Sequence, residues 1–248
     1  MANVRLILAY DGSAYLGWQD SQTGPSIEAA LRLALEQILQ QPLQLQAASR
    51  TDAGVHADGQ VVNFLCEKAP TDLDRLRYGV NCLLPPDIRV LEASLMPDAF
   101  HPTLDATGKT YRYTVCWGAV QHPKQRCYAW HFPRNLDLDS MRAAAKLLVG
   151  THNFRAFCNQ KKNEGYDDHT RTVTDIQIRE LPGDSLELVV SGKSFLYKMV
   201  RNIVGTLLYV GSGKMLAEDV QTLLQDGART EGAITAPAHG LTLSSVLY

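Results

Sequence analysis

One polar segment, residues 49–58, brings together the side chains best suited to chemistry. Arg50, Asp52 and His56 place a cation, a carboxylate and an imidazole in a glycine-containing loop between two predicted strands. A nearby cation favours the ionised form of a carboxylate, so Asp52 is a candidate nucleophile. The same spacing is typical of a turn in which Asp52 bonds the main chain and Gly54 adopts a positive φ. Spacing alone favours the turn and names no reaction.

Two further candidates lie in the second half of the chain. Tyr111 and Tyr113 share one face of a predicted strand, an ordinary place for half-buried aromatic residues. Arg201 lies opposite the apolar stripe of a predicted helix, residues 194–210, which is typical of a solvated face. Gly205, one turn later on the same side, costs about 1 kcal/mol of helix stability relative to alanine. Its presence indicates that another segment approaches closely there.

The sequence indicates no metal or cofactor site. Its five cysteines form no C-x-x-C pair, and no histidine cluster has the spacing of zinc ligands. A hydrolase that uses two carboxylates would need a second acid, and none stands out beyond Asp58.

Hydrophobic periodicity predicts the same order of elements twice, β-α-β-β-α-β, which is the split unit of ferredoxin-like folds. The first set comprises strands 4–10, 43–48, 59–66 and 88–95 with helices 27–38, capped by Ser26, and 73–84. The second comprises strands 108–117, 171–180, 185–191 and 241–247 with helices 141–149 and 194–210, an extra helix at 217–225 and a long polar loop at 153–169. The predicted fold is α+β: two ferredoxin-like halves, residues 1–105 and 106–248, whose antiparallel sheets join. The helices would pack on one side, with an active-site cleft between the halves.

The distribution of charge differs between these halves. Residues 1–105 carry 7 Lys and Arg against 13 Asp and Glu, whereas residues 106–248 carry 17 against 13. A polyanionic partner would therefore bind mainly to the second half. The N-terminus lacks the basic lead and cleavage site of a secretory signal, and polar residues interrupt every long apolar window. We therefore expect a cytoplasmic protein that does not bind membranes.

Residues 50–56, Arg-Thr-Asp-Ala-Gly-Val-His, strongly resemble the active-site loop of the tRNA pseudouridine synthase A family. Further segments resemble that family in the same order: Tyr10-Asp11-Gly12 with Tyr15 and Gly17-Trp18-Gln19, Gly59-Gln60-Val61-Val62, Lys109-Thr110-Tyr111-Arg112-Tyr113, and Phe195 with residues 199–205. The resemblance spans nearly the whole chain. One departure is Ser49, where many relatives carry glycine.

The resemblance implies isomerisation of uridine to pseudouridine in tRNA, in the anticodon stem-loop at positions 38 to 40, with no metal or cofactor. It gives Asp52 the role of nucleophile, and attack on the base and attack on the sugar both fit a lone aspartate. Tyr111 would stack on the uracil and help to remove its C5 proton. Arg201 would pair with Asp52, and Arg50 would displace or replace the flipped base. His56 is interpreted as a hydrogen-bonded structural residue, and the family's dimeric state implies a homodimer.

A non-catalytic tRNA-binding protein of the same fold is the alternative. A pure binder has no need to retain a nucleophile beside an orienting arginine, so Asp52, Tyr111 and Arg201 together favour the enzyme. RNA affinity depends mainly on phosphate contacts from several basic residues. The candidates for those contacts are Lys109, Arg112, Lys161, Lys162, Arg171 and Lys198.

Overall fold

A computed structural model describes residues 1–21, 23–159, 166–227 and 234–248 of the chain. Contacts divide these residues into two compact units, Met1–Thr107 together with Thr242–Tyr248, and Gly108–Leu241. The described residues form a mixed α+β structure with ten strands and five α-helices. In chain order they are β1 (Ala2–Tyr10), α1 (Ile27–Leu39), β2 (Gln46–Ala47), β3 (His56–Cys66), α2 (Leu73–Leu83), β4 (Ile88–Met96), β5 (Gly108–Cys116), β6 (Trp130–His131), α3 (Leu138–Leu148), β7 (Gly150–Asn153), β8 (Thr170–Leu181), β9 (Ser185–Gly192), α4 (Met199–Gly211), α5 (Ala217–Asp226) and β10 (Leu241–Leu247).

In the first unit, β1 lies between β3 and β4 and is antiparallel to both. Strand β2 pairs antiparallel with β3, and β10 pairs parallel with the first residues of β3. The helix α1 begins as predicted: the Ser26 side chain accepts a hydrogen bond from the Ala29 amide. Its Ile27, Leu31 and Leu35 side chains are fully buried, which confirms the predicted apolar face.

The pairing of β1 with β3 is irregular at one end, where the register shifts between Leu8 and Tyr10. Tyr10 is opposite Ala57, close to the start of β3 at His56. A shift of this kind bends a strand and redirects its side chains, and such shifts are common beside active sites. Here it occurs directly after the loop that carries Asp52.

In the second unit, β9 lies between β5 and β8 and is antiparallel to both, and β7 extends this sheet beside β8. The short strand β6 pairs parallel with the end of β5. Helix α3 packs against β8, α4 and α5. Among the described residues, no helix is long and apolar enough to cross a membrane.

Most predicted elements are confirmed, and the differences have local causes. Strand β3 begins at His56 rather than residue 59, so the predicted loop is shorter than expected. Helix α3 begins at Leu138 rather than residue 141, because the Asp137 side chain accepts from the amides of Asp139 and Ser140. The predicted strand 43–48 is reduced to β2, and neither β6 nor β7 was predicted. Helix α4 begins at Met199 rather than residue 194, because Lys198 has a left-handed φ of 58°.

Candidate active site

The loop that carries Asp52 is fastened to the segment that follows β1. The Thr51 carbonyl accepts a hydrogen bond from the Trp18 amide (3.0 Å), and the Gly54 amide donates to the Tyr15 carbonyl (3.3 Å). The Thr51 hydroxyl is also 2.8 Å from the hydroxyl of buried Tyr10. The residues on both sides of Asp52 are therefore held by hydrogen bonds to one neighbouring segment.

Two glycines of that segment allow it to lie directly against the loop. Gly17 has a φ of 101°, and a Cβ there would lie 2.6 Å from the Thr51 carbonyl oxygen and 3.0 Å from the Asp52 carbonyl carbon. A Cβ on Gly12 would collide with the Val55 carbonyl. Side chains at either position would displace the main chain around Asp52.

A buried glutamine holds the other end of the loop. The Gln60 side chain is fully buried; its oxygen accepts from the Ser49 amide (3.2 Å) and its nitrogen donates to the Ser49 carbonyl (2.6 Å). The same nitrogen lies 3.3 Å from the Tyr10 hydroxyl. The Gln60 side chain thus bonds both main-chain polar groups of Ser49, as a neighbouring strand would, just beyond the end of β2. The resemblance named this residue, but no pattern in the sequence predicted its contacts.

The turn and the nucleophile turn out to be compatible interpretations of Asp52. The Val55 amide donates to the Asp52 carbonyl (3.1 Å), and Gly54 has a φ of 77°, so residues 52–55 form the turn that the spacing predicts. This bond uses the main-chain oxygen, so forming the turn does not require the carboxylate. The Asp52 side chain is half-buried, and Arg50 is exposed.

His56 has the structural environment that the sequence predicted. It is buried, and its Nδ1 accepts a hydrogen bond from the Gly12 amide (3.1 Å) while lying 3.2 Å from an Asp11 carboxylate oxygen. An ion pair with Asp11 would require a proton on Nδ1, whereas the bond from Gly12 requires its lone pair. We favour the hydrogen bond, because an amide N–H can only donate. His56 therefore fastens Gly12 to the start of β3.

Tyr15 also anchors this segment. Its hydroxyl donates to the Asp87 carboxylate at 2.7 Å, and the Asp11 amide donates to the Asp87 carbonyl at 2.9 Å. Burial, followed by the hydrogen bond and charge of Asp87, raises the pKa of Tyr15 above its usual value. Tyr15 therefore remains a hydrogen-bond donor at neutral pH.

In the second unit, Tyr111 and Tyr113 share a face of β5 but have different surroundings. Tyr113 is fully buried, its hydroxyl donates to the Pro237 carbonyl (2.8 Å), and Gly240 packs against its ring. This burial makes Tyr113 a core residue and raises the pKa of its hydroxyl. Tyr111 is 9% exposed and contacts Phe195 edge to face, with ring centroids 5.3 Å apart. The ordinary interpretation of a buried aromatic residue thus describes Tyr113 well.

The face of α4 that carries Arg201 is not the solvated face predicted from periodicity. The Arg201 Nε donates to the Ala236 carbonyl (2.7 Å), and the Ala236 amide donates back to the Arg201 carbonyl (3.1 Å). A Cβ on Gly205 would collide with the Ile234 carbonyl, which confirms the predicted close approach. Residues 234–236 therefore cover this face, and Arg201 is half-buried.

The candidate phosphate contacts have varied environments. Lys109 is buried, which lowers the pKa of its ammonium group, so it is not the solvated surface charge expected of a lysine. Arg112 lies 3.3 Å from Glu187, and the Lys198 ammonium lies 4.9 Å from the centre of the Tyr197 ring. Arg171 donates to the main-chain carbonyls of residues 168 and 170. Lys161 and Lys162 lie outside the described residues.

The four predicted site residues are shared between the units. Arg50 and Asp52 belong to one loop of the first unit, and Tyr111 and Arg201 belong to the second. The predicted pairing of Asp52 with Arg201 stays a prediction. Across the part of the chain that the structure describes, no group of three or more His, Cys, Asp or Glu side chains is arranged to hold a metal ion.

The described residues thus form a mixed α+β protein with two notable features. Asp52 lies on a loop whose main chain is held by hydrogen bonds, and Arg201 lies on a mostly buried helix with its Nε bonded to the main chain. The sequence profile of tRNA pseudouridine synthase matches residues 6–103 and 144–248. The chain belongs to this family, whose members isomerise uridine to pseudouridine, as the resemblance predicted.

Individual relatives match over the whole chain. A protein named tRNA pseudouridine synthase A 2 from Protochlamydia amoebophila (strain UWE25) is 52% identical, over 100% of this chain and 95% of its own. A tRNA pseudouridine synthase A from Citrifermentans bemidjiense is 42% identical, over 100% of this chain and 98% of its own. Among solved structures, a chain of a Cbf5-Nop10-Gar1 complex matches with a TM-score of 0.39 and 14% identity, over 83% of this chain and 45% of that chain.

Proposed function

We propose that this protein converts uridine to pseudouridine in tRNA, in the anticodon stem-loop at positions 38 to 40, with the Asp52 carboxylate as nucleophile. Full-length similarity to proteins named tRNA pseudouridine synthase A supports the reaction and the substrate class. The observation that carries the role of Asp52 is the fastening of its loop by Trp18, Tyr15 and Gln60. Holding the main chain in place lowers the entropy that is lost when the side chain of a nucleophile is oriented for reaction.

The proposed reaction is an isomerisation. The bond between uracil N1 and the ribose C1′ breaks, the base turns, and a bond forms between C5 and C1′. The proton lost from C5 is balanced by the proton that N1 gains, so atoms and electrons are conserved. The reaction therefore needs no net oxidant, reductant or group donor, which agrees with the proposal that the enzyme uses no cofactor. The carboxylate of Asp52 can attack either the base or the sugar.

The other predicted residues complete the proposed site. Tyr111 stacks on the uracil that has left the helical stack and takes part in removing the C5 proton. Extracting a base costs a few kcal/mol, which a stacking aromatic residue helps to offset. Arg201 pairs with Asp52 and orients it, and Arg50, which is exposed on the same loop, replaces the flipped base in the RNA.

The proposal extends to architecture and setting. The two halves are ferredoxin-like, their sheets join, their helices lie on one side, and the site occupies the cleft between them. The protein acts as a cytoplasmic homodimer. The more basic composition of residues 106–248 supports RNA contact by the second half.

The experiment is to incubate purified protein with unmodified tRNA transcripts and to map pseudouridine by chemical probing at single-nucleotide resolution. We expect new pseudouridine at uridines 38, 39 or 40 and at no other position. A transcript in which those three uridines are replaced by cytidine is the matched control and should remain unmodified. Tight tRNA binding with no pseudouridine at any position would instead support the non-catalytic binding protein.

A further inference from the structure

One buried amide, that of Asn202 beside Arg201 on α4, connects two separate segments to the helix. Asn202 is 3% exposed. Its Nδ2 donates to the Phe157 carbonyl (2.6 Å) and to the Asn159 side-chain oxygen (2.8 Å). Its Oδ1 accepts from the Thr235 hydroxyl (2.7 Å). The side chain therefore uses both its donor and its acceptor on parts of the chain that lie far apart in sequence.

The segment held by Thr235 is the one that orients Arg201. Ala236 follows Thr235 directly, and its carbonyl accepts from the Arg201 Nε while its amide donates to the Arg201 carbonyl. A guanidinium whose Nε donates a hydrogen bond turns only if that bond breaks or the acceptor moves with it. The position of Ala236 therefore restricts where the two terminal nitrogens of Arg201 can point. Ile234 packs so closely on Gly205 that a side chain at position 205 would collide with its carbonyl.

We propose that Asn202 and Thr235 are positioning residues that set the direction of the Arg201 guanidinium for pseudouridine formation. This inference rests on the proposed function for its catalytic consequence. Asn202 acts through Thr235 and Ala236 on Arg201, and Arg201 in turn orients the nucleophile. We expect an effect on the reacting geometry rather than on tRNA affinity, because the bonds described above join Asn202 to uncharged groups of this chain.

The position requires an amide. An aspartate would keep the acceptor for Thr235 but would bring a negative charge towards two oxygens, those of Phe157 and Asn159, without donating to either. A leucine would leave all three partners without this bond in a buried site. These variants risk misfolding, so Thr235 is the better residue to change. Its hydroxyl can be removed by Thr235→Val at nearly constant shape or retained by Thr235→Ser.

The test compares these two variants with wild type in single-turnover pseudouridine formation and in tRNA binding. We expect Thr235→Val to lower the single-turnover rate by roughly tenfold or more, because small misplacements of a catalytic group cost large factors in rate. The dissociation constant for tRNA should stay within about twofold. Thr235→Ser should restore most of the rate. Thr151→Val removes a hydroxyl pair of the same unit, Thr151 with Thr172, and is the matched control.

A second readout does not depend on activity. The Arg201 Nε–H signal in the nuclear magnetic resonance spectrum, assigned by its loss in Arg201→Lys, should be protected from exchange in wild type. Thr235→Val should shift this signal and weaken its protection, whereas Thr151→Val should leave it unchanged. An Arg201 signal that is identical in wild type and Thr235→Val overturns the inference, as does a wild-type rate in Thr235→Val. If the signal responds but wild type forms no pseudouridine, the proposed function fails while the positioning of Arg201 by Thr235 stands.

Discussion

At the residue scale, the main chain around Asp52 is held by hydrogen bonds to residues outside its own loop as well as within it. The Trp18 amide donates to the Thr51 carbonyl, and the Gly54 amide donates to the Tyr15 carbonyl. The Val55 amide donates to the Asp52 carbonyl and closes the turn. None of these bonds depends on the identity of a side chain at position 52. A change of that side chain should therefore alter chemistry without altering the loop.

Gly17 is predicted to matter through its contact with the loop rather than through its φ alone. Gly17→Ala incurs a left-handed backbone cost of about 1–2 kcal/mol, and its Cβ would also press on Thr51 and Asp52. Gly213, with a φ of 71° and no atom within 4 Å of a Cβ, is the matched control. We expect both variants to unfold at lower denaturant concentration. Only Gly17→Ala should lose most of its single-turnover rate; equal activity in both would contradict the role given to this contact.

Arg201 is predicted to act on Asp52 through its planar guanidinium. Arg201→Lys keeps the charge but loses the fork and the Nε bond to Ala236, so the rate should fall by roughly tenfold or more. Arg201→Met should lose more. A double-mutant cycle with Asp52→Glu, measured in single turnovers, reports the coupling between the two residues. If the rate of the double variant falls by the product of the two single-variant factors, Arg201 and Asp52 do not act as a pair.

At the element scale, α4 shows where periodicity misleads. Its apolar stripe is correct, but the opposite side is also covered, so among its described residues only Arg201 and Tyr209 are half-buried. The signal for this was Gly205, whose low helix propensity indicated a close approach that a solvated face does not need. What approaches is the backbone of Ile234, from a segment with no hydrophobic pattern of its own.

Gly205→Ala is predicted to destabilise the protein although alanine favours helices. The gain in helix propensity is about 1 kcal/mol, whereas overpacking against a backbone carbonyl costs about 1–3 kcal/mol, so the second effect should dominate. Gly79→Ala in α2 is the matched control, because its Cβ would meet only the end of the Ile38 side chain at 3.1 Å. We expect the free energy of unfolding to fall for Gly205→Ala and to stay level or rise for Gly79→Ala. A stabilised Gly205→Ala variant would refute the close packing on α4.

The sequence predicted elements better than it predicted their ends. Period-two and period-3.6 patterns located eight of the ten strands and all five helices among the described residues, since these patterns report burial directly. The start of α4 was missed because Lys198 adopts a left-handed conformation that no propensity indicates. Strand β7, Gly150–Asn153, was missed because its half-buried and exposed residues show no apolar alternation.

At the scale of the whole molecule, the candidate site was predicted by resemblance and not by spacing. Residue chemistry made Asp52 a candidate nucleophile but favoured an ordinary turn, and periodicity gave Arg201 a solvated face. The contacts of Gln60 and Asn202 were not predicted either. Their partners are distant in sequence, and hydrogen bonds between polar groups produce no periodic pattern in the sequence.

The uneven charge of the chain predicts where tRNA affinity should depend on salt. The logarithm of the association constant should fall linearly with the logarithm of salt concentration, by about 0.7 per neutralised phosphate for single strands. Replacing Lys161 and Lys162 with alanine should flatten this slope and leave the single-turnover rate at saturating enzyme nearly unchanged. The matched control replaces Lys68 and Arg75, two exposed cations of the acidic half. Equal slopes for both double variants would exclude the 153–169 region as an RNA contact.

Pseudouridine formation by Asp52→Asn tests the role of Asp52 as nucleophile most directly. Asparagine preserves the shape of the side chain and the main-chain bonds of the turn while removing the negative charge. We predict a folded protein that binds tRNA within about twofold of wild type and forms no detectable pseudouridine, because only the chemical step needs the carboxylate. Asp58→Asn, at an exposed aspartate of β3, should keep its activity. Pseudouridine formed by Asp52→Asn at the wild-type rate would contradict the assignment of Asp52 as the nucleophile.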